Sequence, residues 1–327
     1  MTIRKRQFLL TAAFTAATAG FALPAAAQAY PNKPIKMVVG FAAGGPTDLV
    51  ARTLAADMSK SLGQPVVVEN RPGATGRIAE ETVARDPGDG YTLLLDSQTL
   101  ITNPLTMSKV LFNPLRDFVP ISRVAALPLI LLASPNLPAN NAKELVAMAK
   151  ADKSSVNYGS AGVAGSGHLA GALLSTTAGV EMLHIPFKGQ APALAEVMSG
   201  RVQFIFYAVA GAKEQVDAKR VKALAVTSTQ RLPQFPDVPT MSESGFPGFE
   251  VTTPWLGLVA PAGTPPAITR RLNEAVRSAL NAPETQQRLA ALGAIPEGNT
   301  QAEFAKFLQT DFARWEKLIK TTGIRAD

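Results

Sequence analysis

FVPISRVAALPLILLAS, residues Phe118–Ser134, sets two apolar runs back to back, FVPISRVAA and LPLILLAS. No helical repeat lies between them, so the segment reads as long and extended, the pattern of a crossover between domains. Upstream, short β-rich runs alternate with helical patterns, as in α/β proteins. PIKMVVGF (Pro34–Phe41) reads as a buried strand, and the helix after it aligns Val50, Leu54, Met58 and Leu62 on one face. VVVEN (Val66–Asn70) is a strand, RPGATG a turn, Ile78–Arg85 a helix and YTLLLDS (Tyr91–Ser97) a strand. Downstream the alternation resumes: helix Lys143–Asp152, strand Val156–Ser160, helix Gly167–Thr177, strand Met182–Phe187, helix Ala191–Ser199, then strands Val202–Val209 and Val221–Ser228. Residues Gln230–Gly248, rich in Pro and Gly, read as a long structured loop. VTTPWLGLVAP (Val251–Pro261) is extended again, a second crossover, and the rest is helical. Its stripes are Ile268, Leu272, Val276, Leu280 and then Phe304, Leu308, Phe312, Trp315, Ile319, at the spacing of core-facing helices. Two crossovers around an α/β block predict two lobes sharing two hinge strands. Residues 30–126 plus 251–327 would form one lobe, and 127–250 the other.

The start of the chain has a different grammar. Arg4, Lys5 and Arg6 precede an uncharged apolar stretch from Phe8 to Leu23, Pro24 breaks it, and small residues follow. That is the pattern of a secretory signal peptide, with cleavage expected after Ala27 or Ala29. The stretch is about 16 residues long, short of the roughly 20 a spanning helix wants, and is mostly Ala and Thr. Lys5-Arg6-Gln7-Phe8-Leu9-Leu10 is similar to a twin-arginine signal with Lys for the first Arg, which leaves the export route open. No later window offers 18 uncharged apolar residues, so the mature protein is expected to be soluble. The formal net charge of +7 over 327 residues falls to +4 once the three leader cations go, and the remaining cations are dispersed. Nucleic acid is therefore not an expected partner. Absence of Cys excludes disulfides, thiolate metal sites and a cysteine nucleophile, and is ordinary in a periplasm.

Two loops carry the binding signal. FAAGGPTD (Phe41–Asp48) runs from strand to helix: Gly44 and Gly45 allow close backbone approach, Pro46 suits the first helical position and Asp48 the first turn. Free N–H groups and the helix dipole would make this an anion cradle, unless it is a plain capped turn. YGSAGVAGSGHLAG (Tyr158–Gly171) repeats the theme, with Ser160, Ala161, Gly165, Ser166 and His168 between strand and helix. Ser166 reads as an N-cap, and His168 falls in the first helical turn, where an imidazole commonly satisfies the backbone. Ser97 and Thr99 end one strand and Tyr207 another, positions where open α/β sheets tend to bind ligands. Lys188, just after a strand, reads either as charge for an anion or as a solvated turn. Catalysis has little support, since the pattern G-x-S-x-G is absent and His168 and His184 show no metal spacing. The acidic pairs Glu80-Glu81, Asp86/Asp89 and Glu243/Glu250 read as solvated faces. No catalytic residue, metal ligand or cofactor is expected.

With these residues in view the chain resembles the periplasmic substrate-binding proteins of tripartite tricarboxylate transporters, the Bug receptors. The matching segments are YPNKPIKMVVGFAAGGPTDLVAR, VVVENRPGATG, GDGYTLLL, DFVPIS, KELVAMAKA, YGSAGVAGSGHLAG, HIPFKGQAPAL, VKALAVTS, RLPQFPDVPTMSESG and WLGLVAPAGTP, in family order across the mature chain. The resemblance implies an α/β, two-lobed periplasmic-binding-protein fold of type II, each lobe a mixed sheet flanked by helices, joined by two hinge strands. It implies a small carboxylated ligand in the cleft, held by backbone amides and ordered water. Phe41, Ala42, Gly44, Gly45 and Thr47 from one lobe and Ser160, Gly165, Ser166 and His168 from the other would hold it. Phe187 stands where the family usually has Tyr, and would alter ligand preference if it lines the cleft. The expected partner is the membrane permease of a tripartite tricarboxylate transporter, and the expected state is a monomer. A periplasmic sensor acting on a signalling partner is the alternative role.

Overall fold

The computed structural model describes residues 30–187 and 189–326. The signal-peptide reading and the alternatives for Lys188 lie outside the described residues. Strands follow in the order β1 (Ile35–Val39), β2 (Val66–Asn70), β3 (Thr92–Ser97), β4 (Phe118–Ala126), β5 (Leu129–Ala133), β6 (Asn157–Ser160), β7 (Leu183–Pro186), β8 (Phe204–Ala208), β9 (Lys222–Val226), β10 (Trp255–Pro261) and β11 (Ile295–Pro296). They form two mixed sheets, one ordered β11-β4-β10-β3-β1-β2 and the other β7-β6-β8-β5-β9. β1 lies parallel to β2 and β3, while β10 runs antiparallel to β3 and β4.

The segment Phe118–Ser134 is the first crossover: the chain leaves the six-stranded sheet at the end of β4, and after only Leu127 and Pro128 it enters β5, between β8 and β9 in the other. β10 brings it back. The two passages are tied together, for the Leu127 N–H donates to the Pro254 carbonyl at 2.7 Å and the Thr227 and Thr253 hydroxyls meet at 2.8 Å. The expected extended run Val251–Pro261 begins late, because Phe249–Thr252 closes a 3₁₀ turn behind Gly248, whose φ of 87° only glycine adopts freely.

Each helix buries one stripe. Pro46–Leu62 starts on Pro46, ends at Gly63 with φ 70°, and buries Val50, Leu54 and Met58 against the first sheet. The last helix, Gln301–Thr322, opens with a Thr300–Glu303 capping box and packs Phe304 edge-on against Trp255, whose indole N–H donates to buried Asp311 at 2.8 Å. Helix Thr99–Thr106 and the two-residue β11 have no counterpart in the sequence reading. Thr, Asn and Pro104 blur the helical repeat in the first, and the second is too short for any period. Among the described residues no helix is long and apolar enough to cross a membrane.

Candidate functional site

Strand ends and helix starts from both sheets converge on one cleft of about 240 Å³. Thr47 and Pro46 come from the first turn of helix Pro46–Leu62, Thr99 from the start of helix Thr99–Thr106, Ser166 from the start of helix Ser166–Ala178, and Gln190 from the start of helix Gln190–Met198. The N-cap residue of none of these four helices caps it with its side chain, although Ser97 Oγ accepts from the Thr99 N–H at 3.2 Å. The positive ends of four helix dipoles thus lie at the cleft. Among the described residues none that lines the cleft carries a formal charge.

Of the residues singled out from the sequence, Phe41, Thr47, Ser97, Thr99, Gly165 and Ser166 line this cleft. Ala161 lines an adjoining recess that shares Thr75, Gly165, Ser166 and Gln190 with it. Ala42 and Gly44 are exposed on the loop above, where Ala42 accepts from the Gly45 N–H at 3.3 Å. Asp48 is 1% exposed and holds that loop: its carboxylate accepts from Gly44 N–H at 2.8 Å, Arg52 at 3.0 Å and Asn70 at 2.9 Å. Burial alone would push its carboxyl up, but the Arg52 guanidinium, the Gly44 amide and Asn70 together hold it below the usual range.

The second loop is braced from behind by a histidine pair. The His168 and His184 rings stack 3.7 Å apart and 6° from parallel. His168 Nδ1 accepts from the Ala164 N–H at 3.0 Å, which fixes its proton on Nε2 and supports Ala164 at φ 60°. Ser160 Oγ donates to the Gly162 carbonyl at 2.8 Å and meets His184 Nε2 at 2.7 Å, so the imidazole is the donor there. Burial depresses both imidazoles to about 4, with His168 adding to the effect on His184, so both are neutral at pH 7. Ser160 and His168 thus shape the loop and do not line the cleft. Gly165, not Ser166, is the N-cap, which leaves the Ser166 side chain to the cleft. Phe187 covers Gly159, where a Cβ would sit 3.4 Å from its ring, and half-buried Tyr207 packs over Gly211.

Three polar residues of the cleft escaped the sequence reading: Thr75, Gln98 and Gln190. Each follows a strand and precedes or opens a helix, the signal that selected Ser97 and Ser166. Gln98 is 3% exposed, and its Oε1 has no partner on the protein. Beneath Thr99 lies a feature that the sequence reading placed in solvent. Glu80 is fully buried and faces Asp96, also fully buried; Asn103 Nδ2 donates to both Glu80 oxygens at 3.0 and 2.9 Å. Helix Arg77–Val83 turns Glu80 inward while Glu81 stays nearer the surface. Burial, and then the charge of Asp96, push Glu80 well above the usual carboxylate range. Glu80 therefore keeps a proton and hydrogen-bonds to Asp96, which also accepts from the Ser97 N–H at 2.8 Å and the Thr99 hydroxyl at 3.2 Å. Among the described residues no three His, Asp or Glu side chains gather to hold a metal ion.

Residues 50–324 match the family model described as tripartite tricarboxylate transporter family receptor. Protein BugT of Bordetella pertussis is 37% identical over 311 residues, covering 94% of this chain and 95% of BugT. The structure of periplasmic binding protein BugD shares 38% identity at a TM-score of 0.76, over 90% of this chain and 99% of BugD. Rpa4515 of R. palustris, solved with adipate, shares 35% identity at a TM-score of 0.79, over 90% of this chain and 99% of Rpa4515.

Proposed function

Since the chain belongs to the tripartite tricarboxylate transporter receptor family, we propose that it binds a small carboxylated metabolite between its lobes and delivers it to the permease of such a transporter. The observation that carries the reading is the convergence of four helix starts on a cleft whose described lining carries no formal charge. Such a site neutralises one carboxylate through N–H groups and dipoles, with no Arg or Lys among the described lining residues to desolvate. The ligands of relatives agree with it, Rpa4515 having been solved with adipate. The lobes are residues 30–126 plus 251–327 and residues 127–250. Closure about the paired crossovers at Leu127 and Pro254 traps the ligand and presents the closed surface to the permease. The protein acts in the periplasm as a monomer, after loss of residues 1–27 or 1–29. It performs no covalent chemistry.

The test is a thermal-shift and calorimetric screen of the purified mature protein against small mono- and dicarboxylates, each paired with its neutral primary amide. At least one carboxylate should raise Tm, and by mass action the rise grows with concentration. Its amide should not. A screen in which no carboxylate binds, or in which amides bind equally well, rules the reading out.

A further inference from the structure

Glu80 is fully buried and does not line the cleft, yet the groups it meets lead there. Its partner Asp96 accepts through Oδ1 from the Ser97 N–H at 2.8 Å and from the Thr99 hydroxyl at 3.2 Å. The Thr99 N–H in turn donates to Ser97 Oγ at 3.2 Å, and the two hydroxyls meet at 2.8 Å. Its other partner, Asn103, is 2% exposed and shares the hydrogens of Nδ2 between the Glu80 oxygens and the Thr75 carbonyl, the last at 3.1 Å. Thr75, Ser97 and Thr99 all line the cleft. They come from three segments: the turn Ala74–Gly76, the end of β3 and the start of helix Thr99–Thr106. One buried cluster thus holds three parts of the wall.

The cluster depends on Glu80. Asp96 Oδ2 is buried with no N–H or hydroxyl to meet it among the described residues, which leaves the proton of Glu80 as its donor. Thr75 stands at φ 55°, a conformation that a β-branched residue rarely adopts, and its carbonyl is held by the amide that Glu80 orients. Gly76 lets these groups close up: a Cβ there would sit 3.4 Å from Glu80 Oε1, 3.5 Å from Thr99 Oγ1 and 3.6 Å from Asp96 Oδ1. A Cβ on Gly40 would sit 2.7 Å from Gly76 Cα, so the loop that begins at Phe41 rests on the same turn.

We infer that Glu80 is a positioning residue for ligand binding: through Asp96 and Asn103 it holds Thr75, Ser97 and Thr99 in place before the ligand arrives. The inference rests on the receptor reading and deepens it. A wall fixed in advance spares the ligand the cost of ordering it. The proton matters to an anion site as well, since the pair then sets one negative charge behind Thr99 and not two.

Isothermal titration calorimetry of the mature protein with butyrate, benzoate, succinate and adipate supplies the probe, the one that binds the parent most tightly. Glu80→Gln puts an amide N–H where the acid holds its proton and should keep Kd within about threefold. Glu80→Ala and Asn103→Ala cut the cluster and should each weaken binding about tenfold or more. Leu145→Ala truncates the core on helix Ala142–Ala151, which lines no part of the cleft, and should lower Tm while leaving Kd unchanged. Folding of each variant at the titration temperature is checked by circular dichroism, and if Glu80→Ala does not fold, Asn103→Ala decides. A folded alanine variant of the cluster that binds like the parent overturns the inference and leaves the receptor reading standing. So does Glu80→Gln as weak as Glu80→Ala, or an equal loss in Leu145→Ala. Silence of the parent toward all four probes and every other carboxylate overturns both.

Discussion

Glu80 and Asp96 oppose two carboxyl groups where no described cation contributes to their ionisation. A pair so placed cannot both ionise, so one proton stays between them. The proton sits on Glu80, because Asp96 has the Ser97 N–H and Thr99 hydroxyl to stabilise its charge while Glu80 meets Asn103. A glutamine has the same shape, with an NH₂ where the acid holds its proton and a carbonyl for Asn103. Glu80→Gln should therefore unfold in urea within about 1 kcal/mol of the parent at pH 7. Glu80→Ala strips Asp96 of its donor and opens a void, and should cost about 2–4 kcal/mol. If Gln proves as damaging as Ala, the pair is not proton-shared. This arrangement was hidden in the sequence: Glu80-Glu81 is an ordinary acidic pair on a helix, and only the packing of Asn103 and Asp96 against that helix distinguishes its two members.

The helix starts make the site, and glycine sets how close they come. In helix Ser166–Ala178, Gly167 lies so near β8 that a Cβ would sit 2.9 Å from the Phe206 carbonyl oxygen. Backbone cannot yield as a long side chain does, so Gly167→Ala must push the first turn away from the sheet. Ser166 and the N–H groups facing the cleft move with it. Alanine would gain about 1 kcal/mol in helix propensity, yet overpacking of this kind costs about 1–3 kcal/mol. Gly167→Ala is expected to lower Tm slightly or leave it level while weakening carboxylate binding about tenfold; unchanged affinity would mean that this helix start does not touch the ligand. At this scale the sequence was informative, since the Gly-rich strand-to-helix loops at Phe41 and Tyr158 do meet at one cleft. What it could not separate were residues that face the cleft from those that brace it. Ser166 and Ser160 look alike as letters, but one lines the space and the other is locked to His184.

Across the whole molecule the first crossover was legible because Phe118–Ser134 sets two apolar β-type runs back to back with neither helix nor turn signal between them. Thr99–Thr106 was not, because burial in this fold and not its own period makes it a helix. The summed effect of the buried groups has a pH signature that neither lobe's outline reveals. His168 and His184 ionise near 6.5 in an unfolded chain but only at about 4 when folded. Between those values the unfolded state binds more protons, so the stability from keeping both rings neutral is full above about pH 6.5 and is lost as pH falls toward 4. Glu80 acts with opposite sign. Its folded-state value is raised, so its contribution is full below the ordinary glutamate range and is lost as pH rises through the folded value. Asp48, held below the usual range, loses its contribution only at more acidic pH. Thermal unfolding scanned from about pH 8.5 to 4.5 should therefore show stability falling below about pH 6.5 as the histidines charge, partly offset there by the opposite slope of Glu80. Glu80→Gln should remove that offset and steepen the acid fall, whereas His184→Gln should make it shallower. An acid fall that Glu80→Gln leaves unchanged would show that the proton shared by Glu80 and Asp96 is not linked to folding in this range.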